Sequence, residues 1–202
     1  MPMPMPQIVI LAAGSSSRMR GADKLMETIG GIPQIRRAAL AGQATGCPVA
    51  VTLPTDRPAR ARALAGLAVT LIPVPDAAEG IAASIRAAEG TLPPGPLLLL
   101  LADLPEIAAA DLAMMLAAFR ETPGSILRAG SAAGKPGHPV IFPAWARADL
   151  AALSGDAGAR DLLARHAGRT RLVALPGNAA VTDLDTPEDW AAWRAAGPGR
   201  SV

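Results

Sequence analysis

Apolar positions in this chain gather into short runs separated by amphipathic stretches, and the two kinds of segment alternate along most of its length. Ile8 to Leu11 is a β-branched run that stops at Gly14, the pattern of a buried strand feeding a loop. Leu25 to Gly31 carries a Gly-Gly turn, and Pro33 suits the first turn of a helix reaching about Thr45. Pro48 to Leu53 reads as a second strand, Arg57 to Leu64 as a helix, Val69 to Ile72 as a third strand, and Gly80 opens a helix through about Ala88. Leu97 to Leu101 is five leucines, too short for a membrane and too apolar for an exposed element, so a central strand covered on both faces is predicted. The next helix, from about Ala109 to Phe119, places Leu112, Met115, Leu116 and Phe119 on one core-facing side. Ser125 to Ala129 and Pro139 to Phe142 are further strands, the second expected antiparallel, and Gly130 to Gly137 between them reads as a mobile loop. Asp156 to His166 is predicted helical, Thr170 to Ala174 a strand, and Pro187 to Ala196 a closing helix.

Strand and helix in alternation call for a parallel sheet. The expectation is an α/β fold, a three-layer αβα Rossmann-like domain with a mostly parallel, mixed sheet over residues 8–197. Residues 1–7 form a disordered or polyproline-like leader and residues 198–202 a tail. No internal repeat or linker divides the 202 residues, whose apolar half suffices for one core.

Composition narrows the partners. A formal charge of +2, without runs of like charge, is only mildly basic, and two Phe, three Trp and no Tyr leave little surface on which bases could stack. Nucleic acid is therefore not the expected partner. Cys47, the single cysteine, allows neither an intramolecular disulfide nor a Cys-based metal cluster and reads as a small buried residue. MPMPMPQ lacks the charged start and apolar centre of a signal peptide, and no run approaches 18 apolar residues, so no membrane is expected and a cytoplasmic location is.

The candidate chemistry starts in the loop after the first strand. Gly14 allows close backbone approach, Ser15 to Ser17 offer hydroxyls and amides, and Arg18, Arg20 and Lys24 supply charge suited to phosphate oxygens. Neither G-x-x-x-x-G-K-[ST] nor G-x-G-x-x-G can be read here, and Gly130 to Lys135 fails the first pattern because Pro136 follows the lysine. No G-x-S-x-G occurs, so hydrolase chemistry has no support. Two carboxylates, Asp103 and Asp185, each follow an apolar stretch and are closely followed by proline, and both are candidate ligands for Mg²⁺, which takes hard oxygen donors. Asp185 or Thr186 also suits a helix N-cap before Pro187, with Glu188 and Asp189 complementing the dipole.

Leu11-Ala12-Ala13-Gly14, Ser16, Arg18, Met19 and Lys24 resemble the L-A-A-G-x-S-x-R-M-G…K signature of the MobA-like NTP transferases, enzymes that attach a nucleotide to molybdopterin. Arg20 stands where that family usually has Gly, and Arg18 to Lys24 is one residue longer. The resemblance, which extends from Ile8 to Trp190, implies nucleotide binding by Leu11 to Ser16 and by Gly80 and Ser84 of a Gly-x-x-x-Ser-[LI] segment. It implies catalytic charge from Arg18 and Lys24, and Mg²⁺ at Asp103 of Asp103-Leu104-Pro105 and at Asp185 of Asp183-Leu184-Asp185-Thr186-Pro187-Glu188-Asp189. Gly137-His138-Pro139-Val140 and Gly155-Asp156-Ala157-Gly158-Ala159-Arg160 resemble elements of the cytidylyl-transferring branch, which implies that His138, Asp156 and Arg160 line the acceptor side. The implied reaction transfers NMP from an NTP, with CTP favoured over GTP, to molybdopterin cofactor with release of pyrophosphate, and the implied partner is a client molybdoenzyme. Transfer to another phosphorylated acceptor such as a sugar phosphate, and a non-catalytic carrier of the finished cofactor, stay open.

Overall fold

The computed structural model describes residues 5–155 and 159–197. In chain order they form β1 (Gln7–Leu11), β2 (Thr28–Ile29), β3 (Ile32–Pro33), α1 (Gln34–Gln43), β4 (Val49–Pro54), α2 (Pro58–Ala63), β5 (Thr70–Val74), α3 (Ile81–Thr91) and β6 (Leu97–Leu101). There follow α4 (Ala109–Glu121), β7 (Ile126–Gly130), β8 (Pro136–Phe142), α5 (Arg147–Ala151), α6 (Arg160–Arg165), β9 (Thr170–Ala174) and α7 (Pro187–Ala195). Seven strands make one mixed sheet in the order β5-β4-β1-β6-β8-β7-β9, in which β8 alone runs antiparallel to its neighbours. β2 and β3 form a small separate hairpin around the Gly30-Gly31 turn, where both glycines hold positive φ.

The five leucines of β6 show why an unbroken apolar run is needed at the sheet's centre. Leu98 and Leu100 enter one core with Ile8, Ile10, Ile35, Leu112, Met115 and Phe119, under α1 and α4. Leu97 and Leu99 enter another with Val9, Ile72, Ile85, Phe142, Leu150 and Leu162, under α3 and α5. Successive side chains point to opposite faces, so a strand buried on both faces has no polar position to spare.

Three expectations are adjusted. β1 begins at Gln7, one residue inside the expected leader, whose first four residues lie outside the described ones. The loop expected over residues 130–137 shrinks to 131–135, because β7 runs to Gly130 and β8 starts at Pro136. It is closed by Ser131 N–H to the Lys135 carbonyl at 2.9 Å and tied by Ala132 N–H to the Gly177 carbonyl at 2.8 Å, so its backbone is paired rather than solvated. The helix expected over 156–166 occupies 160–165 among the described residues, and α5 was not anticipated.

Candidate active site

The carboxyl ends of β1, β4 and β6 open into a cleft of about 630 Å³ whose lining includes Leu11, Ala13, Gly14 and Ser15 of the first loop, Arg18, Lys24, Gly80, Ser84, Asp103 and Asp185. Open α/β sheets bind ligands at this edge, where loops meet outside the strand ends. Gly80 precedes α3 with φ 93° and ψ −166°, a backbone that favours glycine, and lets the helix start at the cleft wall. The Ser84 hydroxyl faces the cleft without a protein partner among the described residues.

Lys24 stands at the centre of the charge arrangement. Its ammonium hydrogen-bonds Asp103 Oδ2 at very short range and Asp185 Oδ1 at 2.6 Å, while Arg18 Nη2 reaches Asp185 Oδ2 at 2.7 Å. Burial alone would lower the Lys24 pKa, but the two carboxylates outweigh it and hold the ammonium above its ordinary range. Asp103 Oδ1 is buried and has no hydrogen-bond partner. Two hard carboxylate oxygen donors converging on a cationic group, with one oxygen still orphaned, suit a divalent cation. No cluster of three or more His, Cys, Asp or Glu able to hold a metal exists among the described residues, so protein ligands alone would leave positions for phosphate and water. Thr186 takes the N-cap of α7, accepting the Asp189 N–H at 3.1 Å, and Asp189 returns the bond to the Thr186 N–H at 2.9 Å. This division frees the Asp185 carboxylate for the cations.

The loop itself is held from behind by residues that sequence reasoning missed. Arg60 of α2, with no solvent exposure, spends all five of its N–H donors. They go to Asp23 Oδ2 at 2.8 Å, Asp23 Oδ1 at 2.8 Å, the carbonyls of Ala12 at 2.7 Å and Gly14 at 2.8 Å, and Ser16 Oγ at 3.0 Å. Arg57 holds the Ser15 carbonyl at 2.5 Å. Burial raises the Asp23 pKa, but the Arg60 fork more than cancels this and keeps the carboxyl below its usual range. Ala12 and Ser16, both expected at the nucleotide, do not line the cleft with their side chains: the Ser16 hydroxyl is turned inward, between Arg60 and Asp23. The only advance signal for Arg60 was an arginine among small residues in an otherwise ordinary helix.

Arg20, in the place of the family's Gly, adopts φ 52° and ψ 39°, the left-handed conformation that explains why Gly is usual there. Its guanidinium pairs with Glu188 at 2.6 Å on the surface. Met19 is buried with Leu184 and Trp190, so the loop is clamped against the segment that brings Asp185.

The acceptor-side candidates are less gathered. His138 is half-buried beside the cleft rather than lining it. Burial, with the nearby Arg128 charge acting the same way, lowers its pKa to about 4, so it stays neutral at pH 7. Its Nδ1 has no hydrogen-bond partner among the described residues. Arg160, at the start of α6, lies outside the cleft but near enough for its charge to act on Arg128. Asp156 lies outside the described residues. No described helix is long and apolar enough to cross a membrane.

Against known proteins, the model of the MobA-like NTP transferase domain matches residues 8–170. No curated protein matches the chain. Among solved structures, Rv0371c from Mycobacterium tuberculosis H37Rv is 28% identical with a TM-score of 0.82, over 95% of this chain and 98% of that one. The manganese complex of the same mycobacterial protein gives 26% identity and a TM-score of 0.76, over 94% of this chain and 97% of that one. A CMP:2-keto-3-deoxy-manno-octonic acid synthetase complexed with CTP shares the fold at 18% identity and a TM-score of 0.75, over 95% of this chain and 98% of that one.

Proposed function

Because the chain belongs to the MobA-like NTP transferase family, we propose that it transfers a cytidylyl group from CTP to molybdopterin cofactor with Mg²⁺, releasing pyrophosphate, in molybdenum cofactor biosynthesis. The observation that carries this reading is the Asp103–Lys24–Asp185 constellation at the mouth of a cleft walled by the glycine-serine loop. The choice of CTP and of a molybdopterin acceptor rests on the sequence elements around His138 and Gly155 to Arg160. The manganese complex of a similar protein supports a divalent cation.

Asp103 and Asp185 would hold the metal, since their oxygens converge and one is unpartnered. When bound, Mg²⁺ would offset the charge of the triphosphate and the departing pyrophosphate. The protein's own part is positioning and charge. An acceptor phosphate oxygen bonds to the α-phosphorus as the bond from that phosphorus to the bridging oxygen breaks, and pyrophosphate carries away the electron pair. Lys24, ionised and lining the cleft beside both carboxylates, donates to phosphate oxygens as negative charge builds on the leaving group. Arg18, paired with Asp185 but two-thirds exposed at its side chain, has room to turn toward the phosphates. No proton has to be removed from an ionised phosphate nucleophile, which suits a site in which the nearby histidine is neutral and half-buried.

The test is pyrophosphate release with Mg²⁺ and each of CTP, GTP, ATP and UTP, with and without molybdopterin cofactor. Release that needs both CTP and the cofactor is expected. Asp103→Ala should abolish that release while leaving the thermal transition in place, and normal turnover in this variant would sink the metal assignment.

A further inference from the structure

We propose that Arg60 is a positioning residue for nucleotide binding: held by Asp23, it turns the peptide planes of the first loop so that their N–H groups face the triphosphate. The inference rests on the nucleotidyl-transfer reading of the same cleft. A trans peptide is planar, so the carbonyl of one residue and the N–H of the next point in opposite directions. Arg60 Nη1 takes the carbonyls of Ala12 and Gly14, at 2.7 and 2.8 Å, and Arg57 Nη2 takes that of Ser15 at 2.5 Å. All three carbonyls are thereby drawn toward α2, and the N–H groups of Ala13, Ser15 and Ser16 are turned away from it. None of those N–H groups has a protein acceptor among the described residues. Ala13, Gly14 and Ser15 line the cleft, which gives the free amides an anion to meet.

The fork also reaches the other end of the loop. Its remaining donors hold Ser16 Oγ and both oxygens of Asp23, the residue immediately before Lys24. One fully buried guanidinium therefore sets the amide side and the lysine side of the phosphate site together. A lysine has three donors on a single nitrogen and cannot span two carbonyls, a hydroxyl and a bidentate carboxylate at once. An arginine placed here for bulk or charge alone would have no need to use all five donors on one loop.

The experiment compares the full chain with Arg60→Lys and Asp23→Asn, measuring thermal stability, affinity for inorganic tripolyphosphate by calorimetry, and KM for NTP separately from kcat. At a temperature where each variant is folded, Arg60→Lys should raise KM for NTP and weaken tripolyphosphate by roughly tenfold to a hundredfold, as expected for misdirected amide donors to a charged ligand. The KM for the acceptor should stay put. A role confined to stability would lower the thermal transition and the active fraction while leaving NTP KM and tripolyphosphate affinity unchanged, and that result would overturn the inference. Should Arg60→Lys not yield folded protein, the isosteric Asp23→Asn carries the same readout, with several-fold weaker binding expected and unchanged binding counting against the idea. Wild-type protein that binds tripolyphosphate more tightly than the variants yet turns over no NTP would overturn the enzymatic reading alone. Wild-type protein that does not bind tripolyphosphate would overturn the inference.

Discussion

Gly137→Ala tests how the fold delivers Asp185 to the cleft. Gly137 needs space rather than an unusual φ: a Cβ there would lie 1.9 Å from the Ala180 carbonyl oxygen, 2.6 Å from its carbon and 2.8 Å from Val181 Cγ1. Val181 can turn its side chain aside, but Ala180 presents backbone. To restore an ordinary contact of 3.4 Å that backbone must retreat by about 1.5 Å. Retreat pulls on the Ala180 carbonyl, which accepts the His138 N–H at 2.9 Å, and on a buried turn in which Ala179 and Ala180 have almost no exposure. Overpacking costs about 1–3 kcal/mol and a weakened backbone hydrogen bond about 1 kcal/mol more, so the variant should lose about 2–4 kcal/mol. For a chain of this size that is a fall in Tm of about 5–15 °C. The displaced turn lies a few residues before Leu184, whose N–H meets the Asp103 carbonyl at 3.3 Å, and before Asp185 itself. A shift of about 1 Å at a proposed metal ligand can cost on the order of a hundredfold in rate, so turnover per folded molecule should drop tenfold or more. Calorimetry and pyrophosphate release on the same preparation check both halves. Wild-type Tm and turnover together would refute the claim that this close approach places Asp185.

Three further outcomes are expected. Arg20→Gly removes a left-handed arginine at a cost of one exposed ion pair to Glu188; relief of about 1 kcal/mol against a pair worth about 0–1 kcal/mol should leave Tm level or a few degrees higher, and a fall of several degrees would show that the pair matters more than the backbone. Lys24→Met should abolish turnover yet tighten Mn²⁺ binding in the absence of nucleotide by about tenfold, because the two carboxylates lose the cation they share; weaker Mn²⁺ binding in calorimetry would contradict that arrangement. Asp23, whose folded pKa lies below its unfolded value of 3.8, contributes stability that is present above that value and lost as pH falls through the folded one; Tm followed from pH 6 downward should therefore slope less steeply in Asp23→Asn than in wild type, and parallel slopes would disprove the linkage.

How much of this was legible beforehand depends on the range over which each signal acts. The order of strands and helices follows from local periodicity, and the five leucines of β6, short and bounded by Gly95-Pro96 and Pro105, announced a strand buried on both faces. Asp103 was marked by its place just past that strand. Asp185 was harder to place, since an aspartate before Thr-Pro-Glu-Asp fits a helix cap as well as a metal site. In the structure the cap goes to Thr186, and the Asp185 carboxylate pairs with Arg18 and Lys24 instead. A loop is legible near residues 130–137, but its closure over 131–135 and the short helix α5 are not, because tertiary pairing, with Gly177 for the loop, decides them more than composition does.

What remained hidden is the rear of the site. Nothing in the spacing of Pro58 to Ala63 distinguishes Arg60 from the exposed Arg62 two positions on, since helical periodicity says which positions share a face and not what that face meets. Its partners are Ala12, Gly14, Ser16 and Asp23, residues 37 to 48 positions away whose roles looked settled by the ligand side of the loop. A phosphate loop that presents amides to a ligand must put its carbonyls somewhere, and buried carbonyls need donors. Here one arginine supplies most of them, and its own charge is compensated by the carboxylate next to Lys24. The free amides of the front and the saturated guanidinium of the rear are two sides of the same peptide planes, which is why disturbing Arg60 should be felt first in phosphate affinity.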